Sequence, residues 1–122
     1  MKELLLVSVG SFFGGGVRYL VSKGIGMVAG TGFPFPTMMV NIAGCFLIGL
    51  ISGLASAQSI SPTTKLLLTT GFCGGFTTFS TFMNENLLMA RGGQWAWALA
   101  YTIFSLVFGL VALVAGYKVA NA

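Results

Sequence analysis

Gly71-Phe72-Cys73-Gly74-Gly75-Phe76-Thr77-Thr78 lies in the middle of a segment that opens at Pro62 and runs to Arg91. As one unbroken helix that segment would be roughly 45 Å long, well beyond a hydrocarbon core of about 30 Å. An interruption is therefore expected, and the octapeptide carries its chemistry. Glycines permit an unwound backbone, and threonine hydroxyls re-satisfy freed backbone groups. Non-helical backbone at that depth must be buried in protein or line a wet cavity. Two half-helix ends then point partial charges at one spot, a common arrangement for an ion site. The alternative for the same glycines is a close-packing face against a neighbouring helix.

Outward from this stretch, the chain has the composition of a protein dissolved in lipid. Its 122 residues carry six Lys or Arg, two Asp or Glu and no His, with a hydrophobic majority. Mean hydropathy is +0.94. Such a chain cannot cover a soluble domain with polar surface. Residues 1–122 read as a single four-helix transmembrane domain, and the fold class is an all-α membrane protein. The spans are expected from about Glu3 to Ser22, Thr37 to about Ala57, Pro62 to Arg91 and Trp95 to Tyr117. The Gly-rich segment Lys23 to Pro36 is a connection, and Ser61 is an N-cap with Pro62 at the first helical position. Trp95, Trp97 and Tyr117 are interfacial anchors. The basic, apolar start at Met1-Lys2-Glu3 superficially suggests a signal peptide. The apolar run continues past Phe12-Phe13 to Arg18 without a small-x-small cleavage site, so it reads as the first span.

Charge places Lys2, Lys65 and Lys118 on one side of the membrane and Arg18, Lys23 and Arg91 toward the other. The positive-inside rule returns a tie. A chain without orientation bias can insert both ways, which leads to the expectation of a dual-topology antiparallel homodimer. One subunit is too small to enclose a pore, and small residues such as Gly10, Gly14, Gly44, Gly49, Gly53 and Gly75 suit close helix packing.

Polar side chains within spans are costly unless paired or wetted, which selects Asn41, Thr77, Thr78, Ser80, Thr81, Asn84, Glu85, Tyr101, Thr102 and Ser105. Asn41, the sole amide deep in the second span, is either a helix-helix hydrogen bond or an N–H donor to an anion. Phe79 and Phe82 fall three apart on one helical face beside hydroxyls. They are either core or a pair of positive ring edges that cradle a small anion. Glu85 reads by default as a snorkelling interfacial acid near the end of its span. Arg18 either reaches the interface or draws anions into a vestibule. Cys45 and Cys73 lack partner histidines and CxxC spacing, and read as buried small hydrophobes. Scattered basic residues form no patch for nucleic acid. With no His, no paired carboxylates and no phosphate-cradling loop, enzymatic chemistry is excluded as a reading.

Three blocks of the chain resemble the Fluc fluoride-channel family, also called CrcB-like. They are Gly10-Ser11-Phe12-Phe13-Gly14-Gly15-Gly16-Val17-Arg18-Tyr19, Thr37-Met38-Met39-Val40-Asn41-Ile42-Ala43-Gly44-Cys45-Phe46, and Gly71 through Phe82. The resemblance covers nearly the whole chain. It implies an antiparallel dimer with two pores in a bacterial inner membrane, with Phe79 and Phe82 as an aromatic box and Asn41 as a pore-lining donor. Ser80, Thr81, Tyr101 and Ser105 match its polar track, and Arg18 a vestibule arginine. It further implies a structural sodium ion at the dimer interface, held by the main-chain carbonyls of Gly74 and Thr77. The chain departs from the family pattern at Cys45, where serine is common, at Ser11 in place of glycine, and at Pro36.

The expected activity is passive conduction of fluoride, selected by close donors in a narrow bore that replace water. Its partners are fluoride, a second copy and the lipid bilayer. The rival is a small proton-coupled four-helix exporter, which needs a mid-depth carboxylate. A third reading is a structural subunit that supports another protein.

Overall fold

A computed structural model describes residues 1–29 and 33–121, and the described residues contain helices and turns but no strand. Helix α1 (Lys2–Ala29) is followed by α2 (Phe35–Ser56), the short α3 (Pro62–Leu66), a π-helical stretch Leu67–Cys73, α4 (Gly74–Phe76), α5 (Ser80–Arg91) and α6 (Trp95–Ala120). Among the described residues, three helices are long and apolar enough to cross a membrane, namely α1, α2 and α6. Large apolar side chains cover their outer faces, including Leu5, Phe12, Leu20, Trp97, Leu106 and Leu110. That surface requires an apolar solvent, so the chain is a multi-pass membrane protein.

The segment from Pro62 to Arg91 is interrupted near its middle, but the glycines are not where it unwinds. Gly74 is helical at φ −60°, ψ −38°. The chain leaves the helix at Thr77 (φ −89°, ψ 161°) and resumes at Ser80. The physical reason is that helix closes backbone hydrogen bonds even through glycine, and at membrane depth that satisfaction dominates. The glycines serve the alternative reading, close packing. A Cβ on Gly10 would sit 2.6 Å from the Leu67 carbonyl oxygen, and one on Gly75 would sit 2.6 Å from that of Ser11. The extra width of the π stretch accompanies this approach, and nothing in the composition announced it.

The connection expected from Lys23 to Pro36 is corrected at both ends. Lys23–Ala29 continues α1 and Phe35 opens α2, because Gly24 and Gly26 weaken a helix without ending it, and Pro36 is tolerated in a first turn. Positions 30–32 lie outside the described residues. The other turns follow sequence closely. Ser61 caps α3 by accepting the Thr64 N–H at 3.1 Å, with Pro62 first in the helix. Helix α2 ends with Gln58 at φ 58° and the Ser59 N–H on the Leu54 carbonyl at 2.8 Å. Helix α5 ends likewise through Gly93 at φ 79°, with the Gln94 N–H on the Met89 carbonyl at 2.8 Å.

Packing register fixes direction. Gly10 meets Leu67 to Phe72 and Gly14 meets Phe72 to Phe76, so α1 runs parallel to the interrupted segment. Gly49 meets Leu113 and Gly53 meets Tyr117 to Ala120, so α2 runs parallel to α6. Tight turns at Ala57–Ser61 and Gly92–Gln94 make the two pairs antiparallel. Lys2, Lys65 and Lys118 therefore gather at one end of the bundle, with Lys23 and Arg91 toward the other.

Candidate functional site

Interrupting a helix strands the peptide groups on either side of the gap, and four side chains collect them. The Thr78 N–H, which would close onto the Gly74 carbonyl in a continuous helix, donates to Asn41 Oδ1 at 2.8 Å. Asn41 Nδ2 donates back to the Thr78 carbonyl at 3.0 Å. This reciprocal pair fixes which end of the amide is oxygen, since the Thr78 backbone offers one donor and one acceptor. Arg18 on α1 donates through Nε to the Gly75 carbonyl at 3.3 Å. Thr78 Oγ1 accepts the Thr81 N–H in the first turn of the resumed helix at 3.3 Å, while Thr77 Oγ1 donates to the Cys73 carbonyl at 2.8 Å.

Beside the gap lies a cavity of about 290 Å³ lined by Asn41, Cys45, Ile48, Thr77, Thr78, Phe79, Phe82, Ser105 and Leu106. Asn41 has two amide hydrogens and uses one on Thr78, which leaves one N–H for a ligand. Ser105 Oγ is buried and makes no hydrogen bond. A buried hydroxyl without a partner costs about 1–3 kcal/mol, so it marks a place where a ligand or water is wanted. No carboxylate is in the lining. The cavity therefore offers donors and aromatic rings, an arrangement suited to a small anion.

The two phenylalanines differ sharply. Their ring centroids are 6.3 Å apart, yet Phe82 is 7% exposed and Phe79 73%. Phe82 packs on Tyr101 with centroids 4.8 Å apart, whereas Phe79 stands at the open side of the cavity. Ser80 is exposed and Thr81 half-buried, and neither belongs to the lining. Tyr101 is fully buried, with its hydroxyl directed away onto Glu85. Cys45, Ile48 and Leu106 complete the wall. Cys45 matches the reading of a small hydrophobe only in part, since it is half-buried and faces the cavity, while Cys73 is fully buried.

Glu85 is the clearest departure from expectation. Its carboxylate is no interfacial snorkeller: Oε1 accepts from Tyr101 at 2.8 Å and Oε2 from Thr37 at 3.0 Å. Thr37 is 7% exposed. The sequence alone could not pair three residues spread over the second, third and fourth spans. One signal existed: all three are polar groups in apolar surroundings, and such groups seek each other.

For a cation, no cluster of three His, Cys, Asp or Glu side chains occurs among the described residues, which leaves main-chain oxygens. The carbonyls of Gly74 and Thr77 qualify. Their ladder donors, the N–H groups of Thr78 and Thr81, are diverted to Asn41 and to Thr78 Oγ1. Hard carbonyl oxygens suit a hard monovalent ion, so the residues present fit such a group.

Comparison with known proteins adds to this geometry. The family model described as CrcB-like protein, Camphor Resistance (CrcB), matches residues 5–117. A protein of Chlorobaculum tepidum is 51% identical over 122 residues, covering 99% of this chain and 96% of its own length. One from Chlorobium phaeobacteroides is 48% identical over 119 residues, covering 97% and 92%. One from Flavobacterium psychrophilum is 40% identical over 122 residues, covering 99% and 98%. All three relatives are named fluoride-specific ion channel FluC.

Proposed function

The chain belongs to the CrcB-like protein family, and on that premise we propose that it is a fluoride-selective channel, not an enzyme, that conducts passively through two antiparallel pores of a dual-topology dimer in a bacterial inner membrane. The observation that carries this reading is the cavity beside the gap. There an unpartnered buried Ser105 hydroxyl, the spare N–H of Asn41 and the rings of Phe79 and Phe82 converge with no acidic group among them. Fluoride is small and strongly hydrated, so selection over chloride requires donors close enough to replace its water in a bore too narrow for larger halides.

Asn41, Ser105, Phe79 and Phe82 line the path in this reading. Ser80 and Thr81 extend it along α5, and Tyr101 with Glu85 and Thr37 forms a polar column behind Phe82. Arg18 lends positive charge to the vestibule. The exposed Phe79 and Ser80 support a second copy closing the open side, and the balanced charge of the bundle ends supports insertion in both directions. The interrupted segment serves as the third of four membrane crossings. The carbonyls of Gly74 and Thr77 from each subunit would hold a structural sodium ion between the two copies. When bound, sodium supplies a fixed positive charge that neutralises the gathered carbonyl dipoles.

The test is fluoride current from the pure chain in a planar bilayer. A channel passes current under voltage without a pH gradient. An electroneutral exchanger carries none, and that result would overturn the proposal in favour of proton-coupled export. Fluoride efflux unchanged in a Phe79→Ala, Phe82→Ala double variant would remove the aromatic box.

A further inference from the structure

The reciprocal bond between Asn41 and Thr78 has a consequence for the cation as well as the anion. A side-chain amide that offers one acceptor and one donor to the N–H and C=O of a single residue mimics a strand partner, and it holds that residue's N–H out of the helix ladder. Were Asn41 absent, the nearest acceptor in register for the Thr78 N–H would be the Gly74 carbonyl, four residues back. Helix closure there would consume the oxygen that the cation reading needs. No other described side chain hydrogen-bonds to the Thr78 N–H or carbonyl.

We propose that Asn41 is a positioning residue whose amide keeps the Thr78 N–H out of the helix ladder beside the extended Thr77 and thereby delivers the Gly74 carbonyl to the cation, while its remaining N–H serves the fluoride path. This rests on the cation and fluoride sites given under Proposed function, and it deepens them by making one side chain the link between the two. The link is chemical: Oδ1 and one Nδ2 hydrogen hold the gap open, and the other hydrogen is left for the cavity that Asn41 lines. The amide's two duties are therefore separable by substitution. Asn41→Asp keeps an acceptor for the Thr78 N–H but removes both donors. Asn41→Ala removes everything.

Full-length protein in liposomes tests this with two readouts besides flux. Solid-state NMR Cα and Cβ shifts of Thr77 report extended or helical backbone. Thermal stability in NaCl against equal KCl reports the sodium-specific gain. The expected result is extended shifts and a sodium-specific gain in the native chain and in Asn41→Asp, with helical shifts and no such gain in Asn41→Ala. Fluoride efflux falls at least tenfold in both variants, because both lose the donor. Thr102→Val, which removes a hydrogen bond to Asn86 elsewhere, lowers stability equally in the two salts. Extended shifts at Thr77 in Asn41→Ala overturn the proposal. If Asn41→Ala fails to fold, Asn41→Ser carries the same prediction, since a serine hydroxyl is too short to span both peptide groups. A native chain indifferent to sodium would sink the cation reading and the link with it, while the NMR comparison still decides whether Asn41 holds the gap.

Discussion

The hydroxyl of Tyr101, wholly buried on α6, donates to Oε1 of Glu85 on α5 at 2.8 Å. Thr37 occupies the other carboxylate oxygen, so one acid ties three helices together. Replacing Tyr101 by Phe leaves the volume nearly unchanged and strips one bond from a half-buried carboxylate. The expected cost is about 1 kcal/mol, measured by unfolding in detergent. A double-mutant cycle with Thr37→Val should show coupling, because both hydroxyls bond the same carboxyl group.

Phe79 and Phe82 should separate stability from conduction. Phe82→Ala empties a packed site against Tyr101 and is expected to lower stability by about 3–5 kcal/mol. Phe79→Ala removes a ring that is 73% exposed in one chain and should leave intrachain stability nearly intact. Both variants should lose fluoride efflux from liposomes, so equal loss at unequal stability is the outcome that checks the box.

Ser105→Ala removes a buried hydroxyl that has no hydrogen-bond partner among the described residues. Stability should hold or rise slightly, since no protein hydrogen bond is lost. Fluoride efflux should fall. A drop in stability with unchanged efflux would mean that the hydroxyl serves packing alone.

Glycines of α1 should divide by what lies opposite them. Gly10→Ala drives a methyl group to 2.6 Å from the Leu67 carbonyl oxygen and should destabilise by about 1–3 kcal/mol. Gly24→Ala meets no atom within 4 Å and should stabilise by up to about 1 kcal/mol through helix propensity. Thermal melts of the two variants side by side check the contrast.

Orientation should respond to charge. Gln58→Lys with Ser59→Lys adds two positive charges at the bundle end that already carries Lys2, Lys65 and Lys118. Tags on both termini should then report one dominant orientation, and efflux should fall as antiparallel pairs become scarce.

Much of this molecule was legible before folding. A mean hydropathy of +0.94 with few charges declared lipid as solvent, and segment length alone required an interruption between Pro62 and Arg91. The cap at Ser61 and the reversal at Gly93 follow from side-chain and backbone chemistry within four residues, which is the range at which sequence speaks directly. Asn41, Ser105, Phe79 and Phe82 were singled out as polar or aromatic residues in an apolar run, and the fold gathers these four around one cavity.

What composition and spacing could not decide was which partner each group takes, since that depends on elements far apart in the chain. Glycines in a row were consistent with an unwound backbone or a packing face. Only the approach of α1, with Ser11 against Gly75, made them a packing face and moved the gap to Thr77 and Thr78. Glu85 had the signature of a surface acid until Thr37 and Tyr101 were brought to it from two other helices. The sequence determined that the chain lives in lipid and must interrupt its third apolar segment. The tertiary structure alone decided where, because a stranded peptide group settles wherever a neighbouring helix offers it a partner.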